Sequence, residues 1–400
     1  MESTFGKNIK VTIFGGSHED VIGCRIGGFP EGSLDFDHEK LQHFLDLRAP
    51  GNSPFATKRK EPDHFEILNC VPEDRSSAHE DRCAAHEDCG TAGPEDQMTL
   101  VIRNTDQRSG DYKKLRDVPR PGHADYTARI RYGDALNMAG GGPFSARMTA
   151  PLCIAGGIAL QYLQSKGISI GAHLLSAGGV RDEAFDPMAP KIYEAAAALD
   201  MTILPADTLA GDPVSSDTAD DEHFPLPVLD KAAGIKMAQA ILSAAAEKDS
   251  AGGIVEVAAT GIPAGIGGAM YGGLESFLAP VYFGIPAVKG IEFGAGFAAA
   301  EMKGSENNDS FAVNGSDITT KTNNAGGILG GITNGMPLIA RLAFKPTPSI
   351  GQVQDSVDLK TMEPANLEIK GRHDPCVAVR AVPVVIAATA LGLLDAMLEI

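Results

Sequence analysis

Residues 120–149 read RPGHADYTARIRYGDALNMAGGGPFSARMT. The stretch gathers His123, Asp125, Ser145, Arg147 and three successive glycines, Gly140, Gly141 and Gly142, yet shows little apolar periodicity, so it is poorly suited to filling a core. Arg120-Pro121-Gly122-His123 reads as a rigid turn presenting an imidazole, because proline fixes one dihedral and glycine frees the next. The glycine run lets backbone N–H groups approach a ligand oxygen, and the helical pattern that follows would set a helix N-terminus beside it, an arrangement suited to an anion. A glycine-rich turn around a buried, hydrogen-bonded histidine would look the same, and this stretch alone does not separate the two.

Working outward, an alternating strand at 10–14 ends in Gly15, Gly16, Ser17 and His18, which puts a second imidazole where a sheet opens. A helix over 41–48 carries Arg48 at its C-terminal end, where the helix dipole also favours a cation. Strands follow at 65–68 and 98–103, then an apolar helix over 149–165, a strand at 168–175, helices over 191–198 and 230–248, and a strand at 252–259. The remainder reads as a glycine-rich loop at 261–273, a polar hairpin or linker at 305–321, and a second glycine cluster at 323–331. A stiff loop at 344–349, FKPTPS, offers a cation and two hydroxyls to a phosphate. A charged turn at 371–375 precedes a helix over 382–398 that is apolar on nearly every side, as in a buried helix or one at a subunit interface.

The 400 residues are 43% hydrophobic, a globular composition. The N-terminal residues show no basic region followed by an apolar one, and no span of about 20 uncharged apolar residues stands out, so a cytoplasmic protein without a membrane segment is expected. Six cysteines are too sparse for a disulfide framework. A formal net charge of −18 argues against nucleic acid or an anionic membrane as partner. An acidic chain can still hold a small polyanion, provided its cations are concentrated in one cleft.

Residues 71–97 form an acidic segment expected to be a solvated surface insertion. His79, Cys83, His86 and Cys89 lie close together there but fit no standard zinc spacing, so no metal is expected. No GxxxxGK[ST] occurs. The nearest dinucleotide fingerprint, 294–299, has no clear acidic partner about 20 residues on, which disfavours a Rossmann fold.

Several motifs in fixed order resemble chorismate synthase over almost the whole chain: TIFGGSH, RAPGNS, EPDHFEIL, IRNTDQRSGDY, RPGHADYT, GGGPFSARMTAPL, DSAGGIVE, GIPAVKGIEFGAGF, TNNAGGILGGITNGMP, FKPTPSI and GRHDPCVAVRAVPVV. The resemblance implies an α+β fold of the β-α-β sandwich type, one domain over 1–400 with the acidic insertion at about 71–97, and a homotetramer. It implies anti-1,4-elimination of phosphate from 5-enolpyruvylshikimate 3-phosphate, with reduced FMN required. NADP is associated with flavin reduction, and whether this chain reduces its own flavin is left open. By the same resemblance His18 would protonate the reduced flavin, His123 would assist the departing phosphate, and Asp374 would act with the flavin in removing the C6 proton. Ser17 and Ser145 would belong to the same network. Flavin contacts would fall at Arg48, Ser145, Pro286, Ala287, Gly330, Lys345, Pro346, Thr347, Pro348, Ser349 and Arg372, and Arg48, Arg147 and Arg372 would face substrate anions.

This sequence departs from the family at Gly16, Glu19, Leu47, Pro54, Pro143, Gly268 and Ile386, where charged residues are lost or moved. Each lost charged hydrogen bond would weaken anion binding by about 1.5–3 kcal/mol. Two readings therefore stand: an enzyme of this activity, and a paralogue that binds FMN and a similar anion with weak or no turnover.

Overall fold

The computed structural model describes residues 2–50, 55, 61–69, 97–105, 117–133, 136–200, 202, 226–369 and 374–399. The acidic segment, apart from Gln97, lies outside the described residues, as do Pro54 and Arg372.

Two antiparallel sheets enclose a layer of helices. The first holds β1 (Glu2–Phe5), β2 (Lys10–Gly15), β3 (Val21–Gly27), β4 (Phe65–Asn69) and β5 (Met98–Arg103), in the order β1-β2-β3-β5-β4. The second is built from β6 (Ser169–Ala177), β7 (Val180–Arg181), β8 (Gly253–Thr260), β9 (Val288–Phe293) and β14 (Leu338–Phe344), in the order β7-β6-β8-β14-β9. Hairpins are formed by β10 (Phe311–Asn314) with β11 (Asp317–Thr320), β12 (Ile328–Leu329) with β13 (Ile332–Thr333), and β15 (Gln354–Asp358) with β16 (Glu363–Leu367).

Between the sheets lie two long apolar helices. Thr149–Ser165 packs on β3 and β5, Val377–Met397 packs on β6 and β8, and the two pack on each other. Small residues permit that approach: a Cβ added at Gly156 would stand 2.4 Å from the Cβ of Ala387. The layering is the β-α-β sandwich implied by the motifs, and the weak fingerprint at 294–299 belongs to the turn after β9, where Gly294 N–H donates to Ile339 C=O at 3.0 Å. Val377–Met397 is long and apolar enough by length and composition to cross a membrane, though it carries Arg380 and Asp395 and so is not an uncharged span. Nearly every residue from Ala378 to Ala396 is buried within this chain, so burial is met without a second subunit.

Alternation in β8 sorts its side chains. Val255, Val257 and Ala259 enter the main core, while Ala258 joins a smaller cluster with Phe185, Ile192, Ala195 and Ile339. On that outer side the register aligns His173 with Glu256, Glu256 with Arg341, and Arg341 with Glu292, so charges alternate across four strands. His173 Nδ1 lies 3.1 Å from Asp182 and Nε2 3.1 Å from Glu256, and the ring is fully buried. Burial pulls its pKa down, but the hydrogen bonds and charges of Asp182 and Glu256 outweigh that and raise it above the ordinary 6.5.

A raised folded-state pKa contributes stability that is complete below the unfolded value of about 6.5 and is lost as pH climbs through the folded value. Melting temperature should therefore fall as pH rises above neutral, and His173→Asn should flatten that decline while lowering stability at pH 6. An unchanged slope in the variant would remove His173 from the pH dependence.

Candidate functional site

One cavity of about 490 Å³ opens beside the helix layer, within the range of small-molecule sites. It gathers most of the sequence-predicted residues: Ser17, His18, His123, Ser145, Arg147, Pro286, Ala287, Lys345, Thr347, Pro348, Ser349 and Asp374 all line it. Pro346 sits in the same loop between lining residues. Arg48 lies one layer deeper and is 1% exposed, and Gly330 stands apart in the turn between β12 and β13.

Three backbone segments meet here. The turn after β2 supplies Ser17 and His18, and Ser17 N–H donates to Gly142 C=O at 3.2 Å. The turn before the Asp125–Tyr132 helix supplies His123. Between the two imidazoles runs the glycine triplet, with φ of 62°, 93° and 52°. A Cβ at Gly140 would fall 2.1 Å from the His18 ring, and one at Gly141 would fall 3.2 Å from His123 Nε2. This adds to the sequence reading. Gly141 N–H is spent on Met138 C=O at 3.0 Å, and the missing side chains at Gly140 and Gly141 leave room for the histidines. The chain then passes through a 3-10 turn, Ala146–Met148, where Ser145 Oγ accepts from Arg147 N–H at 3.3 Å, before the Thr149–Ser165 helix begins.

His123 is tightly oriented. Its Nδ1 lies 2.8 Å from Asp125 Oδ1, and Arg120 grips the same carboxylate through Nε at 2.6 Å and Nη2 at 2.7 Å. Burial would raise the Asp125 pKa, but hydrogen bonds from Arg120 and His123 and the Arg120 charge hold it well below the usual carboxylate range. An ionised carboxylate at Nδ1 selects the tautomer protonated there and leaves Nε2 beside the glycines, towards the cavity. Arg120 Nη1 also donates to Ser349 Oγ at 3.2 Å, tying this turn to the loop after β14.

Beneath the cavity, Asp63 is shared by Arg48 and Arg147, and Arg147 also lies 3.2 Å from Glu61. Burial alone would raise the Asp63 pKa, yet the two guanidinium groups lower it. The expectation that Arg48 and Arg147 both face ligand anions is thus split. Arg48 is held in an internal pair, whereas Arg147 lines the cavity with a buried Nη2 that has no hydrogen-bond partner among the described residues.

Five cations line the cavity among the described residues, Arg120, Arg147, Lys289, Lys345 and Arg380, against one carboxylate, Asp374. Burial and the nearby Lys289 charge lower the Lys345 pKa. Thr347 Oγ1 is also buried without a partner among the described residues. Ala287 adopts a φ of 75°, a strained value for a residue with a side chain, and its carbonyl accepts from Lys345 N–H at 3.0 Å. Sequence reading gave no role to Asp63, Glu61, Lys289 or Arg380. All four stand inside quoted motifs, but nothing in their spacing marks them. Arg372, expected to contact flavin and substrate anions, lies outside the described residues. Arg380 stands beside Asp374, with Nη1 at 3.0 and 3.1 Å from the two carboxylate oxygens.

A family model described as chorismate synthase matches residues 9–398. A protein named chorismate synthase from Lancefieldella parvula is 42% identical over 397 residues, covering 99% of this chain and 96% of its own length. One of the same name from Archaeoglobus fulgidus is 41% identical over 396 residues, covering 99% and 97%. A solved structure titled "Crystal Structure of Chorismate Synthase" superposes with a TM-score of 0.62 at 23% identity, covering 98% of this chain and 92% of its own, and shows the shared fold.

Because any Cβ at position 140 meets the His18 ring, Gly140→Ala should lower chorismate formation at least about tenfold through displacement of that imidazole. The left-handed backbone there should cost only about 1–2 kcal/mol in denaturant unfolding. Full activity in the variant would show that His18 needs no such clearance.

Proposed function

The chain belongs to the chorismate synthase family and is an enzyme, a lyase of chorismate formation; from that premise we propose that it eliminates phosphate from 5-enolpyruvylshikimate 3-phosphate in an anti-1,4 sense, with reduced FMN held in the cavity. The observation that carries this is the pairing of two imidazoles across the glycine triplet inside a cation-lined cavity that also holds Asp374.

The residues present fit a flavin. Among the described residues Thr347 Oγ1 lacks a partner, Lys345 and Lys289 are neighbouring cations, and Pro286 and Ala287 line the cavity beside the Lys345 loop. These residues, with Ser349, would hold FMN and its phosphate, and Arg147 Nη2 would take a substrate anion. When bound, reduced FMN supplies electron density that stabilises the electron-poor carbon framework left as phosphate departs. His123 would act as the imidazolium, with Nδ1–H committed to Asp125 and Nε2–H presented as the proton donor to the leaving phosphate. His18 holds a proton on the other side of the glycines. Asp374 accepts the C6 proton.

Other parts of the reading rest on the same premise. One continuous core running from Ile9 to Ala396 supports a single domain with 71–97 as an insertion. Exposed apolar side chains at Met270, Tyr271, Phe311, Val313 and Ile318 support a homotetramer. The three described free cysteines suit a cytoplasmic location. The paralogue of weak turnover is favoured by two replacements: Leu47 packs against the main core, and Pro143 lines the cavity.

An anaerobic assay with chemically reduced FMN and the phosphorylated substrate separates these readings without requiring NADPH. Stoichiometric chorismate and phosphate are expected, while binding of flavin and substrate without product would establish the paralogue. In the same assay His123→Ala and Asp374→Asn should each slow elimination by about 100-fold with flavin affinity within a few-fold of wild type. Turnover within threefold of wild type for either variant would remove that residue from the mechanism.

A further inference from the structure

We propose that Arg380 is a positioning residue that fixes the Asp374 carboxylate for proton removal, an inference that rests on the reading of Asp374 as the base. Asp374 stands just ahead of the Val377–Met397 helix, where an unrestrained carboxylate would sample several rotamers. Arg380 lies in the first turns of that helix, and a helical side chain there leans back toward the N-terminus and so toward residue 374. Its Nη1 spans both oxygens, and each of the two side chains is only 12% exposed.

The guanidinium is itself anchored. Arg380 Nε donates to the carbonyl of Arg48 at 3.2 Å, the last residue of the His38–Arg48 helix, whose final carbonyls have no intrahelical donor. Arg48 is fixed in turn by Asp63, which also clamps Arg147. The base on one side of the cavity and an anion-facing arginine on the other thus share one rigid support. Gripping both oxygens from a single nitrogen sets the orientation of the carboxylate plane. A base misplaced by about 1 Å can lose on the order of 100-fold in rate.

The test uses single turnover with prereduced FMN and substrate carrying either hydrogen or deuterium at C6. Arg380→Gln should lower the elimination rate about 20-fold with KM within threefold, and should raise the deuterium isotope effect because proton removal has become slower than the other steps. Arg380→Lys cannot reach both Asp374 and the Arg48 carbonyl, so it should lose about fivefold with the same rise in isotope effect. Asp374→Asn run alongside separates the two claims. Slow Asp374→Asn beside unimpaired Arg380 variants overturns the positioning role alone, and unimpaired Asp374→Asn overturns the reading of the base. A rate loss without a larger isotope effect, or one matched by a rising KM, would assign Arg380 a structural part only. Should Arg380→Gln fail to fold, Arg380→Lys decides: a wild-type rate and isotope effect there overturns the proposal.

Discussion

The close crossing of the two internal helices at Gly156 and Ala387 is the contact on which the rest depends. With no room for a larger side chain, it sets how near the helices lie and therefore how the two sheets that cover them are spaced. Both helices begin at the cavity. Arg147 and Ser145 precede one, Asp374 and Arg380 flank the start of the other, and His123 precedes a third, the Asp125–Tyr132 helix. A site assembled at helix starts inherits its precision from the core, because the packing that buries each helix also fixes the residue before it. The partial positive charge of helix N-termini adds to the field that would draw an anion.

Charge is distributed on two scales. The whole chain carries −18, yet the cavity wall carries five cations among the described residues against one carboxylate. Arginines at the cavity are paired with buried or half-buried carboxylates: Arg120 with Asp125, Arg48 and Arg147 with Asp63, Arg380 with Asp374. The pairings hold guanidinium groups in low-dielectric surroundings at tolerable cost and orient them. They leave Lys289, Lys345 and the Arg147 Nη2, which has no partner among the described residues, as the cationic groups with most to gain from a ligand.

Much of the fold was legible where periodicity was strong. The strand at 98–103 and the helix over 149–165 match Met98–Arg103 and Thr149–Ser165, and the polar hairpin at 305–321 contains β10 and β11. β3 and β14 escaped because both faces of each are largely covered, which erases alternation, and the Leu274–Gly284 helix contains Pro280. Candidate side chains such as His18, His123 and Lys345 were readable because glycine and proline turns advertise exposed chemistry. Their partners were not. Asp63 reaches Arg147 across 84 positions, and Arg380 finds the Arg48 carbonyl across 332, distances that only the folded topology closes. The glycine triplet was readable as a motif, but one physical reason for it was not, since only the fold shows that side chains at Gly140 and Gly141 would crowd two imidazoles.

The account's central claim is that one cavity holds flavin and phosphorylated substrate together between His18, His123 and Asp374. A crystal structure of the protein with oxidised FMN and 5-enolpyruvylshikimate 3-phosphate tests it most directly. The predicted result is flavin along the Lys345–Ser349 loop and Ala287, with the substrate phosphate in hydrogen-bonding reach of His123 Nε2. Flavin or substrate bound elsewhere on the chain, or a phosphate turned away from both histidines, would contradict it.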